Sequence, residues 1–322
     1  MGSFYPKKES KGSPKVSVII PLFNCSRFFK QCIESVLEQT AVDIEIVVID
    51  DCSTDSDYGK FLELYKDSRV KFIKNSTRIG AGPSRNKGIK LSSGDYIAFL
   101  DGDDYYPNPN SLSLLYAKAK ADNLDICGGS LYIVDERSAI IDAKVPGQFF
   151  QKSTILKYSD YQHDGGFYRF IYKKHFLLSN KLFFPNLRRM QDPVFFVKAM
   201  IKAKSFFAFK DYVYAYRKGH KTIIWNENTI LDHYSAIRII TNLSKDCKLS
   251  HLHYLMVKNF YHFSIRNLHK ISSIKLQISL VLAAVRSVNF HLLTERRADE
   301  VERFNPAKLL SVILLTHIYT RG

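Results

Sequence analysis

Four short apolar stretches, alternating with segments of helical spacing, constrain this chain more than any other feature. Val16–Leu22 (VSVIIPL), Ile44–Ile49 (IEIVVI), Val70–Ile73 and Tyr96–Leu100 (YIAFL) read as strands. Near-continuous β-branched runs of this length are what a strand covered on both faces requires. Between the first two, Phe28, Phe29, Cys32, Ile33, Val36 and Leu37 recur at helical intervals, after a turn at Asn24-Cys25-Ser26 that offers an N-cap. Ser53-Thr54-Asp55 is expected to open a second helix carrying Phe61, Leu62 and Leu64. Ser84–Leu91 and Leu112–Ala121 are expected to be the next two. Strands alternating with helices predict an α/β fold with a mostly parallel, doubly wound sheet flanked by helices. Such sheets bind ligands beyond the carboxyl ends of their strands. Polar residues at Asn24, Asp51 and Asp101 all fall at such ends, so they are expected to meet in one crevice.

Downstream the pattern changes. Ile126–Val134 and Val213–Tyr216 read as strands and Asp192–Ala203 as a helix, while beyond Ile223 only helical signals remain. We expect three segments: a flexible polar leader at 1–14, an α/β domain at 15–222, and a helical C-terminal region at 223–322. No run of roughly eighteen uncharged apolar residues occurs, so a spanning helix is not expected. Leu276–Val285 and Leu309–Ile318 are apolar but shorter. Lys275, Arg286, Arg296, Arg297, Arg303 and Lys308 flank them. Two readings stay open: amphipathic helices on an anionic membrane surface, or a bundle packed on the rest of the chain or on a second subunit. The net charge of +16 calls for an anionic partner, whether nucleic acid, membrane or phosphorylated substrate. The five cysteines form no Cys-x-x-Cys pair, so neither a disulfide framework nor a zinc site is expected.

Asp101-Gly102-Asp103-Asp104 directly follows the fourth strand. Three carboxylates in four residues repel one another unless a cation joins them, and a hard divalent ion prefers oxygen ligands. Gly102 is expected to let backbone approach phosphate closely. At the second strand end, Asp51 is suited to accept from a base N–H or a sugar hydroxyl, with Asp50 or Ser53 capping the next helix. Arg85 either neutralises phosphate, stacks on a base, or is an ordinary surface arginine.

Taken in order, the stretches VSVIIPLFN (16–24), IVVIDDCSTD (46–55), GAGPSRNKG (80–88), GDYIAFLDGDD (94–104), QDPVFF (191–196) and YAYR (214–217) resemble the family 2 glycosyltransferases of the GT-A (Rossmann-like) fold. The resemblance covers roughly residues 15–222. It implies that Pro21, Phe23 and Asn24 lie along the nucleoside. Asp51 would hold the base, most often uracil, with Ser53 in the same nucleotide-binding set. Arg85 would lie in the loop that closes over the nucleotide. Asp101 would be shared between ribose and metal, Asp103 would bind the metal directly, and Asp104 would face the donor sugar. Asp192 matches the second residue of the family's Glu-Asp pair, the general base, and Gln191 replaces the Glu. Arg217 would join a segment closing over the pyrophosphate, with His220 as a further metal ligand. Trp225 would either stack on an acceptor sugar or pack in a core.

The resemblance therefore implies an inverting enzyme dependent on Mn2+ or Mg2+. It would move a hexose or N-acetylhexosamine from a UDP-sugar to a glycan or lipid-linked glycan, in capsule or lipopolysaccharide synthesis. The expected location is the cytoplasm or the inner face of the bacterial plasma membrane. Rival readings are a polyprenyl-phosphate glycosyltransferase, a nucleotidyltransferase, and a basic nucleic-acid-binding protein. Pro21–Ser26 (PLFNCS) lacks the Gly-rich phosphate loop of the second, and the nucleotide-sugar motifs argue against nucleic acid as a partner. A homo-oligomer is compatible with the sequence.

Overall fold

The computed structural model of the chain describes residues 14–40, 42–220 and 224–294. The leader up to residue 13, the boundary region at Lys221 and Thr222, the run Leu309–Ile318 and the basic residues from Arg296 onward lie outside them. In chain order the elements are β1 (Val16–Leu22), α1 (Ser26–Leu37), β2 (Ile44–Asp50), α2 (Tyr58–Glu63), β3 (Val70–Lys74), α3 (Ala81–Leu91), β4 (Tyr96–Phe99) and α4 (Ser111–Ala121). β5 (Ile126–Val134), β6 (Ile140–Asp142), β7 (Thr154–Lys157), α5 (Tyr158–Tyr161), β8 (Phe170–Lys173), α6 (Lys174–Ser179), α7 (Gln191–Ala203) and β9 (Ser205–Arg217) follow. The chain continues with α8 (Glu227–Asp246), α9 (Ser250–Asn267), α10 (Ile274–Ser287) and α11 (Phe290–Thr294).

The described residues form two compact units. The first runs to Tyr161 and adds Gly165–Asn186 and the residues from Lys202 onward to His220. The second holds Gln162–Asp164, Leu187–Ile201 and the residues from Ile224.

The first unit is built on one sheet of order β3-β2-β1-β4-β8-β5-β9-β7, with β6 on β5. β3, β2, β1 and β4 are mutually parallel, as their apolar runs predict. β8 then runs antiparallel between β4 and β5, while β9 is parallel to β5. Alternate residues of the central strands (Val16, Val18 and Ile20; Ile44, Ile46 and Val48) join Phe29, Cys32, Ile33 and Val36 of α1 and Leu112 and Leu115 of α4 in one buried cluster. The intervening Ile19 meets α3 at Gly88, where a Cβ would come within 2.4 Å of the Ile19 side chain. Both faces of the sheet are therefore covered.

Several element starts differ from expectation; β9, for one, begins at Ser205, eight residues before the expected Val213. α2 starts at Tyr58 and not at Ser53, with Asp57 as its cap (Lys60 N to Asp57 Oδ1, 3.2 Å). Neither Asp50 nor Ser53 caps it, because both are engaged elsewhere: Ser53 N donates to Asp50 Oδ1 and Ser53 Oγ accepts from Asn24 N. α1 has no local side-chain cap. Its Ser26 N–H is met by Asp55 Oδ2 from the following strand-to-helix loop (2.9 Å). α3 begins three residues early, since Gly80 at φ 92° takes the cap position and Pro83 sits in the first turn, where no N–H is needed.

The second unit includes four helices, α8 to α11. A capping box of Asn226 and Thr229 starts α8. Ile230, Ile237 and Ile240 of α8 and Leu252, Met256 and Phe260 of α9 are buried. Buried His253 links two neighbours, with Nδ1 against Ser244 Oγ (2.9 Å) and Nε2 accepting from Asn289 N (2.9 Å). The expected apolar run Leu276–Val285 lies within α10. No helix among the described residues is long and apolar enough to cross a membrane.

Candidate active site

The carboxyl ends of β2, β1 and β4 are neighbours in the sheet, so Asp51, Asn24 and Asp101 share one edge. The first two ends are sewn together. Asn24 adopts φ 47°, a left-handed conformation that asparagine tolerates. Its backbone N–H donates to Ser53 Oγ (3.1 Å), and its side-chain oxygen accepts from Thr54 N (2.9 Å). Tyr58 OH accepts from Cys25 N (2.8 Å), which fixes the turn from the other side.

Asp51, expected at the base, is buried. Its oxygens accept from Asn75 Nδ2 (3.0 Å), Ile79 N (2.8 Å) and Gly80 N (2.7 Å). What it shapes directly is the loop leading into α3. That loop brings Arg78 over the ring of Phe23, 3.7 Å from its centroid. Arg78 escaped the sequence reading, because nothing in its local pattern pairs it with a residue 55 positions earlier.

At the end of β4, ligand oxygens of Asp101, Asp103 and Asp104 lie within 4.8 Å of one another. Gly102 sits in a close-packed turn. A Cβ would come within 2.5 Å of Leu22 Cδ2 and 2.7 Å of Cys25 Sγ. Arg85 donates to Asp101 Oδ1 (2.5 Å) and is only 4% exposed, so the surface-arginine alternative falls. Its guanidinium lies 4.8 and 5.2 Å from the ring centroids of Phe167 and Phe184.

Asp104 is held by Tyr214 OH at Oδ2 (2.7 Å) and by Arg217 N at Oδ1 (2.7 Å). The same tyrosine oxygen accepts from Asp101 N (3.2 Å). Burial, then the charges of Asp103 and Asp101, push the Asp104 carboxyl well above the usual range, against the pull of its two hydrogen bonds.

Arg217, expected at the pyrophosphate, is 2% exposed and its guanidinium is engaged by protein acceptors. Nε donates to Asp103 O (2.9 Å), Nη1 to Asp135 O (2.9 Å) and Nη2 to Gln31 Oε1 (2.6 Å). It clamps the acidic turn from behind. His220 Nε2 lies 2.5 Å from Asp103 Oδ2, with Phe28 edge-on to its ring. Three converging carboxylates plus an imidazole form a donor set suited to a divalent cation, which would relieve the repulsion recorded at Asp104.

The candidate base belongs to the second unit. Asp192 lies in the first turn of α7, after Met190 at φ 60°. Its charge, behind the larger effect of burial, helps push the Asp164 carboxyl upward. Asp164 follows Gln162, whose side-chain oxygen accepts from His251 N (2.9 Å) and Leu252 N (3.2 Å) at the start of α9. The sequence reading missed Asp164. Its one local signal was the Asp-Gly-Gly turn it opens. Half-buried Trp225 packs against His233 and Phe263, with the Arg189 guanidinium 5.5 Å from its ring.

A mixed α/β sheet whose adjacent strand ends carry a clamped carboxylate cluster is the arrangement of the GT-A fold. Residues 17–178, half of the chain, match the Glycosyl transferase family 2 domain, and the chain belongs to that family. It is 26% identical over 253 residues to glycosyltransferase GlyG of Streptococcus pneumoniae serotype 4, covering 74% of this chain and 83% of GlyG. It is 46% identical over 91 residues to the Escherichia coli UDP-Glc:alpha-D-GlcNAc-diphosphoundecaprenol beta-1,3-glucosyltransferase WfaP, covering 28% of this chain and 36% of WfaP. The crystal structure of Staphylococcus aureus TarS 1-349 in complex with UDP aligns with a TM-score of 0.70 at 20% identity, over 95% of this chain and 91% of that one. The fold is thus that of TarS.

Proposed function

We propose that the chain transfers a hexose or N-acetylhexosamine from a UDP-sugar to a hydroxyl of a glycan or lipid-linked glycan in surface-polysaccharide synthesis, with inversion at the anomeric carbon. The carboxylate cluster at the β4 end, locked by Arg85, Tyr214 and Arg217, carries this reading. Relatives support the substrate class: WfaP takes glucose from UDP-Glc to a diphosphoundecaprenol-linked acceptor, and TarS has been crystallised with UDP.

Asp101, Asp103 and His220 would hold Mn2+ or Mg2+. When bound, the ion neutralises charge building on the departing diphosphate. Asp104, tied at both oxygens, orients the turn and faces the donor sugar. Pro21, Phe23, Asn24, Asp51, Ser53 and Arg78 shape the nucleoside side. Arg85 fixes Asp101, and Arg217 fixes Asp103 and Asp104. An acceptor hydroxyl is a poor nucleophile at neutral pH, so a carboxylate must take its proton as attack develops. We assign that role to Asp192, in the first turn of α7.

A donor screen tests the whole reading. UDP, UDP-glucose and UDP-N-acetylglucosamine are offered with manganese, with magnesium or with chelator, while thermal unfolding and UDP release are followed. We expect a nucleotide plus metal to raise the unfolding midpoint by linkage, and chelator to abolish the rise. If no nucleotide-sugar moves the midpoint with either metal, the reading fails.

A further inference from the structure

The helical unit contains a stretch with an unusual charge pattern. From Cys247 to Thr294 there is no Asp or Glu, while Lys248, Lys258, Arg266, Lys270, Lys275 and Arg286 are all cationic. In α1 and α4, by contrast, lysines pair with carboxylates one turn away, as Lys30–Glu34 and Lys118–Asp122. Glu227 of α8 does reach the corner between α9 and α10, where Ser272 Oγ donates to it (2.7 Å). The corner is still dominated by positive charge.

The same stretch leaves large apolar side chains in solvent. Ile265 is 45% exposed, Ile274 42%, Leu282 42% and Phe290 55%. At the corner, exposed Ile265, Arg266, His269, Lys270, Ile274 and Lys275 follow one another within eleven positions. Along α10 the exposed residues are Ile274, Lys275, Ser279, Leu282 and Arg286, and exposed Phe290 and His291 open α11 after the extended Val288. Within α10, steps of four and three place Lys275, Ser279, Leu282 and Arg286 on one helical stripe. Of the apolar residues of α10, only Val281 is buried, beside Gln277 and Ser287. Leu276, Ile278, Leu280 and Val285 are half-buried, and Ile274 and Leu282 are exposed.

We propose that this face, from the α9–α10 corner along α10 to Phe290, is an interfacial surface that seats on an anionic phospholipid bilayer. Basic residues meet the headgroups while Ile265, Ile274, Leu282 and Phe290 enter the acyl boundary. Aliphatic side chains at three of these four positions find nothing to contact on a nucleic-acid backbone, which argues for lipid over nucleic acid. Two copies of a face without carboxylates repel each other, which argues for lipid over self-association. The helices lie on the surface and do not cross it, since none described is long and apolar enough. The inference uses charge and exposure in the helical unit alone, so it stands or falls separately from the donor site.

The test is flotation of the full chain with vesicles of about 30% phosphatidylglycerol in phosphatidylcholine, against phosphatidylcholine alone, at roughly 0.05 and 0.5 M salt. We expect flotation with the anionic vesicles at low salt, and binding roughly tenfold weaker or more on neutral vesicles or at high salt. Leu282→Glu with Phe290→Ser, and separately Arg266→Glu with Lys275→Glu, should each cut binding by a similar factor. Leu64→Glu, at a 74% exposed position in the other unit, should not. Unchanged thermal midpoints confirm that the variants fold. No flotation at low salt overturns the proposal, and so does flotation indifferent to lipid charge. It is equally overturned if the paired variants bind like wild type, or if they abolish dimerisation or DNA binding while vesicle binding is absent.

Discussion

Residues 101–104 and residues 247–294 are opposite extremes of charge within one chain, and the fold treats them differently. The acidic turn is surrounded by groups that answer it: Arg85 on Asp101, the Arg217 main chain and Tyr214 on Asp104, Arg217 Nε on the Asp103 carbonyl. Every one of these comes from a distant part of the sequence. The basic stretch is answered without charge: Lys270 Nζ donates to the Asn267 side chain (3.1 Å), and no carboxylate lies within 247–294. Lys248, Arg266, Lys270, Lys275 and Arg286 are exposed, with exposed Ile265, Ile274 and Leu282 among them. A charge cluster rigidly held by the protein is built to act on a small, precisely placed ligand. Charges left in solvent on flexible stems suit an extended surface whose position varies. The difference lies in preorganisation more than in sign.

The comparison breaks most visibly at the level of turnover. Asp192→Asn should lower kcat by about 10²–10⁴-fold, the usual worth of a general base, and leave UDP-dependent protection from unfolding intact. Asp103→Asn should lose both transfer and metal-dependent protection. Lys275→Glu, in the basic stretch, should leave turnover on a soluble acceptor within about twofold, as a rim charge distant in role from the chemistry does. Steady-state kinetics with parallel thermal shifts separates the three. A large loss of turnover on a soluble acceptor in Lys275→Glu would erase the distinction drawn here.

A smaller effect is expected from loosening the clamp. Lysine at position 217 keeps one positive charge but loses the planar fork that reaches the Asp103 carbonyl, the Asp135 carbonyl and Gln31 at once. Arg217→Lys should weaken metal affinity by about 10–100-fold, as groups that orient ligands do. It should leave the maximal rate at saturating metal nearly unchanged. Metal titration of UDP-dependent stabilisation reads the first quantity. A wild-type titration would mean that the clamp is irrelevant to the site.

The parts of this arrangement that were legible in the sequence share one property: they are local. Val16–Leu22 coincides with the strand observed, because a nearly continuous apolar run states its own burial. The acidic tetrad was conspicuous for the same reason. What was misread depends on contacts across long separations. Ser53 and Asp55 carry the local signature of a helix start, yet tertiary structure spends them on Asn24 and on α1, and the helix waits for Asp57. Gly102 is conspicuous in sequence, but its close packing against Leu22 and Cys25 is set by residues about 80 positions earlier. The Tyr214–Asp104 bond spans 110 positions, and no pattern around either residue announces it. Arg217 is expected at the pyrophosphate from the resemblance of its segment alone. Its burial could not be read from neighbours in sequence.

Acid sharpens the comparison most gently, because the two units should respond to it with opposite sign. In the acidic turn, the Asp104 carboxyl is raised in the folded chain, so its contribution to stability is present at low pH and is lost as pH rises through the folded value. His233 of α8 goes the other way. Its ring is 7% exposed and stacks on Phe263 with centroids 3.7 Å apart. Burial first, and the charge of Arg189 after it, lower it to about 4, against the pull of the Asn259 side chain. The unfolded chain then takes up the proton near pH 6.5, before the folded one does. The stabilising contribution is complete above that value and is lost as pH falls toward about 4. Between pH 7.5 and 6 the loss is roughly 1 kcal/mol. Urea unfolding at the two pH values measures it, and His233→Gln should flatten the slope by that amount because glutamine has no proton to gain. If the variant keeps the wild-type slope, His233 is not the titrating group, and the opposition between the two units loses its helical half.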